Sequence, residues 1–376
     1  MSKFDHIRPY YDSEVNQAIQ KVSSHPMVKS MLKFIYPQAS EEYIQKRLTN
    51  CNSIRDFQTK IITRGIQNVL SRSSHGLTTS GFKELKKDTA YLYVSNHRDI
   101  LLDTCLLNIS LFDNDLVMTA SAIGDNLVQK SFLLELAKLN RNFLVQRNLS
   151  PRELLKSSKL MSEYIAENLL HDNRSVWIAQ REGRTKDGND ATQQGVLKMI
   201  ALGKGDRNVF DYFKKIKIVP VAISYEFDPT DMLKMPELMA KHYEEEYIKS
   251  TNEDFDTILK GLTGQKKRIH IAAGKVLDIE LDEIASSNEP VNKQFQQLAS
   301  IIDKCIHKEY RLWPTNYLAY DMLFETNKYS NEYTVKEQRQ FERRVACRVD
   351  VNDKVAVKNF LAMYANPVVN KEKLDD

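Results

Sequence analysis

Between residues 76 and 285, short apolar runs alternate with helical segments, and this alternation restricts the chain to a few architectures. TAYLYVSN, DLVMTASA, NFLVQR, SVWIAQ, KIVPVAISY and KRIHIAAGKVL read as strands. Helical patterns such as ILLDTCLLNISLF and SFLLELAKLN lie between them. Ser150-Pro151-Arg152-Glu153 is a capping box with proline at the first helical position, so a further helix starts there. Strands separated by helices pair in parallel, because each crossover returns the chain to the same end of the sheet. The expected fold class is therefore α/β, a mostly parallel central sheet covered by helices.

The flanks lack that alternation. In the first 75 residues, Ser40-Glu41-Glu42 opens a helix through YIQKRLTNC. Asp56 opens another, on which Phe57, Ile61, Ile62, Ile66 and Leu70 share a face, before Gly76 and Gly81 break the pattern. Beyond residue 285 one helix is expected to carry YRLWPTNYLAYDML, and a capping box at Thr334-Val335-Lys336-Glu337 opens another. The basic run KEQRQFERRVACR on that last helix reads as a solvated face. Three regions result: helical residues 1–75, an α/β domain over 76–285, and helical residues 286–376.

Bulk properties narrow the partners. The 376 residues are 42% hydrophobic and 28% charged, which suits a globular protein with a large core. A net charge of +4 is far too small to demand nucleic acid, though it suits anionic substrates or an anionic membrane. Cys51, Cys105, Cys305 and Cys347 are scattered, with no C-x-x-C pair and no zinc spacing, which points to a reduced, cytoplasmic setting. MSKFDHIRPYYDSEVN has no apolar segment of the secretory kind, and no run approaches the roughly 18 apolar residues of a membrane span.

Of the eight histidines, His97 alone stands where a strand should end and a helix begin. In α/β sheets ligands gather at the carboxyl ends of the strands, so Asn96, His97, Arg98, Asp99 and Asp103 form a candidate site. A histidine held in one tautomer by a carboxylate is suited to deprotonate an alcohol. The same segment also reads as a helix-start loop in which Asp99 caps the helix and His97 is merely polar. Its H-R-D string does not mark a protein kinase, because Thr104 stands where the kinase loop needs asparagine and no D-F-G follows. Two more polar clusters end strands: Arg147 in NFLVQRN, and Arg181, Glu182, Arg184 and Lys186 in SVWIAQREGRTKDGND, with Gly183 and Gly188 allowing tight turns. Taken together, the four cations make a cradle for a phosphate or another anionic headgroup.

In this order the segments resemble the glycerolipid acyltransferase family, which includes the glycerol-3-phosphate and lysophosphatidate acyltransferases. VSNHRDILLD is similar to the family's histidine–aspartate block, NFLVQRN to its strand ending in arginine, and VWIAQREGRTKDG to its Glu-Gly-Arg turn. IVPVAISYE, with Pro220, is similar to the proline-containing strand, and IAAGKVL, with Gly274 and Lys275, to a later strand ending in Gly-Lys. The resemblance covers about residues 76 to 280. It implies O-acyl transfer from acyl-CoA or acyl-acyl carrier protein to a hydroxyl of glycerol 3-phosphate, a lysophospholipid or a related lipid precursor, without a cofactor. His97 is then the general base, Asp103 orients it, and no acyl-enzyme forms. Arg147, Arg184 and Lys186 hold the acceptor's anionic group, with Glu182 and Gly183 shaping that pocket. Pro220 lines the acyl-chain side, and Arg98 joins the substrate-binding set.

Two departures from the family pattern stand out. Five residues separate His97 from Asp103 where the family has four, so either one residue loops out before the helix or Asp99 is the partner. Asp103 is the favoured partner, because Asp99 is placed to cap. The third block reads E-G-R with Arg181 ahead of it, where the family has E-G-x-R, which weakens Glu182 and strengthens Arg184. The resemblance also implies contact with a membrane surface, expected at the inner face of the cell membrane. The N-terminal helices and LWPTNYLAY are the segments considered for it. The competing readings are a non-catalytic membrane-surface scaffold of the same fold and a hydrolase. No Gly-x-Ser-x-Gly elbow supports a serine hydrolase.

Overall fold

A computed structural model describes residues 2–374. Its strands are β1 (Ser74–Ser80), β2 (Leu92–Ser95), β3 (Thr119–Gly124), β4 (Asn142–Val145), β5 (Ser175–Ala179), β6 (Ile218–Tyr225) and β7 (Lys267–Ala273). They form one seven-stranded sheet of order β1-β7-β6-β2-β5-β3-β4. The ladders of β2 with β5 and β6, and of β3 with β4 and β5, are all parallel. β7 runs antiparallel to β6, and β1 parallel to β7. The sheet is thus mostly parallel, with helices on its faces and at both ends of the chain, and five strands point their carboxyl ends the same way.

Side chains that alternate along a strand fill two different cores. Leu92, Val94, Val176 and Ile178 face one side, where Ile165, Ile200, Phe213 and Ile302 cover them. Tyr93, Trp177, Val219, Val221, Ile223 and Tyr225 face the other side, under Leu102, Leu106 and Leu107. The Leu102–Asp113 helix is buried from Leu102 to Leu111, which accounts for its nearly unbroken apolar sequence.

The six strands read from the sequence are all present, and β1 is an addition. Its sequence, SHGLTTS, is polar and mostly exposed, so it lacks the alternation of a half-buried strand. What makes it a strand is distant: it pairs with β7 across nearly 200 residues, with an irregularity between Ser74 and Leu77 around Gly76. Two helices also differ from expectation. The segment expected as one helix through YRLWPTNYLAYDML is split, because Val291–Glu309 ends before Tyr310 and a new helix starts at Pro314. Near the N-terminus, Ser53 rather than Asp56 caps the helix, accepting from Asp56 N, and the chain continues through a π-helical Phe57–Thr63. The Val335–Arg348 helix keeps its capping box, but Phe341, Arg344 and Val345 are buried, so the run is not wholly a solvated face. Among the described residues, no helix is long and apolar enough to cross a membrane.

Candidate active site

β2 gives up its ladder at Ser95, and the next side chain takes over the pairing. Asn96 Oδ1 accepts from Ile223 N at 2.8 Å and its Nδ2 donates to Ile223 O at 3.0 Å, so the side-chain amide completes the join to β6 while the backbone turns away. That turn delivers His97. Its Nδ1 lies 2.8 Å from Asp103 Oδ2, and its ring meets the edge of Trp177 at 5.3 Å.

Asp103 is fully buried and serves as an acceptor on every side. Oδ2 takes the backbone N–H of Arg98 at 2.6 Å and of Asp99 at 3.0 Å, as well as His97, while Oδ1 takes the Tyr225 hydroxyl at 2.8 Å. An oxygen already accepting two amide protons leaves His97 Nδ1 as the donor of their shared bond, which puts the lone pair of the neutral ring on Nε2. Among the described residues no protein group bonds Nε2, and the side chain keeps 13% exposure. Burial, and then the charge of Asp103, push the Tyr225 hydroxyl well above its usual range, so it stays a donor. Tyr225→Phe strands a buried carboxylate oxygen and should cost about 1–3 kcal/mol in denaturant-induced unfolding, a loss read as a lower midpoint at unchanged slope.

Asp99 has a different task. Its Oδ1 accepts from Leu101 N at 3.0 Å and Leu102 N at 2.8 Å, tying down the start of the helix. The fifth intervening residue is absorbed in the turn 98–101, and Asp103 keeps the contact with His97. Burial, and then Asp103, push the Asp99 carboxyl upward, toward the neutral form.

The loop after β5 is docked onto this unit. Thr185 N donates to the His97 carbonyl at 2.9 Å, and Gln180 N to Ser95 O at 2.8 Å. Gly183 has φ +69°, a conformation open to glycine at little cost. Gly188, at φ +74°, comes so close to the Lys354–Glu372 helix that a Cβ there would lie 2.2 Å from Met363 O. The loop brings Arg184 inside, with 9% exposure, and its Nη1 is buried without a hydrogen-bond partner. Lys186 is engaged with Glu237, and burial followed by the charge of Arg184 pushes its ammonium downward. Arg147, at the end of β4, pairs with the exposed Glu182, while its backbone N–H donates to Asp125 at 3.1 Å. The second and third polar clusters therefore meet at the rim, and among the described residues neither the buried Arg184 nor the half-buried Arg181 has a side-chain partner.

Four residues of the expected blocks sit elsewhere. Arg98 is buried and bonded to Asp190 at 2.6 Å, with its guanidinium 5.7 Å from the Tyr310 ring, so it braces the loop rather than facing a cleft. Pro220 pairs with Val94 inside β6, buried and about 10 Å along the strand from the level of His97, so it is sheet interior and not a pocket wall. Gly274 and Lys275 follow β7, whose antiparallel course puts them at the opposite end of the sheet, where Gly274 N donates to Pro220 O. The sequence reading missed Trp177, Asp190 and Tyr225. Asp190 takes Arg98 and Thr185 on its carboxylate, and its carbonyl contacts His307 at 2.8 Å. Tyr225 had a usable signal, since it closes a strand beside the one that leads to His97.

Residues 76–224 match the family model described as Acyltransferase, a segment that includes His97, Asp103, Arg147 and Arg184. No curated protein matches the chain. Among solved structures, the crystal structure of the 1-acyl-sn-glycerophosphate (LPA) acyltransferase PlsC from Thermotoga maritima is similar with a TM-score of 0.37 and 12% identity, over 77% of this chain and 94% of that one. Over residues 76–224 the chain thus carries an acyltransferase domain of the kind that family model describes.

Proposed function

We propose that this enzyme transfers a fatty acyl group from acyl-CoA or acyl-acyl carrier protein to a hydroxyl of a phosphate-bearing lipid precursor, glycerol 3-phosphate or a lysophospholipid, at a membrane surface. The observation that carries the reading is the His97–Asp103 pair with Nε2 free, on the same loop framework as the partnerless Arg184. Nε2 takes the proton of the acceptor hydroxyl as its oxygen attacks the thioester carbonyl. The tetrahedral adduct collapses by breaking the C–S bond, and the imidazolium returns the proton to the leaving sulfur. Asp103 keeps the ring in its tautomer and stabilises the cation between the two steps. No acyl-enzyme is required. Arg184 supplies a buried cation for the acceptor's phosphate, and Arg147 with Glu182 forms the rim.

The test is a set of incubations with palmitoyl-CoA or the carrier-protein thioester against glycerol 3-phosphate, lysophosphatidate, a second lysophospholipid and an N-acyl amino acid. Thiol release with a new acylated lipid is expected for a phosphate-bearing acceptor. Release of free fatty acid alone would replace acyl transfer by hydrolysis, and no turnover by folded protein would leave a scaffold. Arg184→Ala should raise the acceptor KM roughly 10- to 100-fold while leaving the thioester KM unchanged. An unaltered acceptor KM would remove Arg184 from the headgroup site.

A further inference from the structure

The Pro151–Leu170 helix begins just beyond β4, on the edge that carries Arg147. Its 20 residues make it about 30 Å long, well beyond the reach of the four-residue β4 and five-residue β5 beside it. The excess lies at the amino end: every residue from Pro151 to Lys156 is exposed, and the first buried one is Met161. This overhang is not polar. Leu154 and Leu155 are 51% and 62% exposed, and they stand seven residues before the buried Met161 and Ser162. They continue the core-facing stripe past the end of the core. Arg152, Lys156 and Lys159 recur at helical spacing around the pair, and among the described residues no ion pair or hydrogen bond engages any of their side chains. The one acid of the first turn, Glu153, is folded back onto Ser150 in the capping box.

We propose that this overhang docks the protein on an anionic lipid bilayer, with Leu154 and Leu155 entering the acyl boundary and the three cations resting among the phosphates. The contact sets the rim of the site against the surface that holds a lipid acceptor, and in that purpose it rests on the acyl-transfer reading. It also replaces LWPTNYLAY as the docking segment, since Trp313, Leu318 and Ala319 are buried.

The experiment measures flotation of the full chain with phosphatidylcholine vesicles that contain or lack phosphatidylglycerol. Binding is expected with phosphatidylglycerol and should be weak without it. The double variant Leu154→Glu, Leu155→Glu should lower partitioning at least about tenfold, and alanine at Arg152, Lys156 and Lys159 should abolish the preference for anionic vesicles. Leu155→Trp should give a blue-shifted emission on adding anionic vesicles, against native Trp177 and Trp313, which are already buried. Both sets of variants should keep wild-type turnover of a thioester with a water-soluble acceptor. Vesicle binding that survives both sets of substitutions overturns the proposal, whatever the activity. Surviving vesicle binding with lost use of the carrier-protein thioester also overturns it and assigns the overhang to the acidic carrier. Leucine-dependent vesicle binding by a protein that turns over no thioester supports the docking surface and removes the acyl-transfer reading alone.

Discussion

The His97→Ala variant should transfer acyl groups about a thousandfold more slowly than the wild type, with the thioester KM little changed. Removing the imidazole removes Nε2, the unbonded basic nitrogen just beyond β2, and the acceptor hydroxyl must then lose its proton to water. The fold should tolerate the change, because the side chain makes a single hydrogen bond and leaves Asp103 Oδ2 with two backbone donors and Oδ1 with Tyr225. A midpoint of thermal unfolding within a few degrees of the wild type would establish that, in line with about 1 kcal/mol for one lost bond. Steady-state thiol release, paired with quantification of the acylated product, reads the rate. A variant within tenfold of the wild type would remove His97 from the chemistry and send the search to another base.

What could be read in advance followed the range of the physical signal. β2 to β6 declare themselves locally, since a buried parallel strand must be apolar along its own length. β1 cannot, because SHGLTTS becomes a strand only through β7, and no local pattern encodes that partner. The site divides in the same way. His97 and Asp103 are close in sequence at a strand-to-helix junction, and Arg147 and Arg184 each follow a strand, so position alone marks them. Arg98 looks identical to a ligand-binding cation until Asp190, 92 residues away, claims it in the interior. Lys186 is likewise taken by Glu237, from the Asp231–His242 helix. Charge type and spacing single out candidates, whereas only long-range packing decides which cations are already spent. Arg184, left without a partner, is the case where that distinction changes the reading most.

Asp103 offers a way to separate its charge from its hydrogen bonds. In Asp103→Asn the amide oxygen can occupy the Oδ2 position and accept from Arg98 N, Asp99 N and His97 Nδ1. The amide nitrogen then faces Tyr225, whose hydroxyl can accept in place of donating. The fold should therefore lose only about 1 kcal/mol, close to the value of a single exchanged bond. Activity should fall about a thousandfold all the same, because the imidazolium formed during attack no longer faces a negative charge. Asp103→Ala should behave differently. It strands two backbone N–H groups, the Tyr225 hydroxyl and the His97 ring beside a new cavity, at a cost of about 3–5 kcal/mol, so unfolding and inactivation arrive together. Denaturant titrations of both variants beside kcat measurements separate the two effects. An asparagine variant with near-wild-type kcat would show that the ring needs orientation alone, and the electrostatic part of the mechanism would have to be withdrawn.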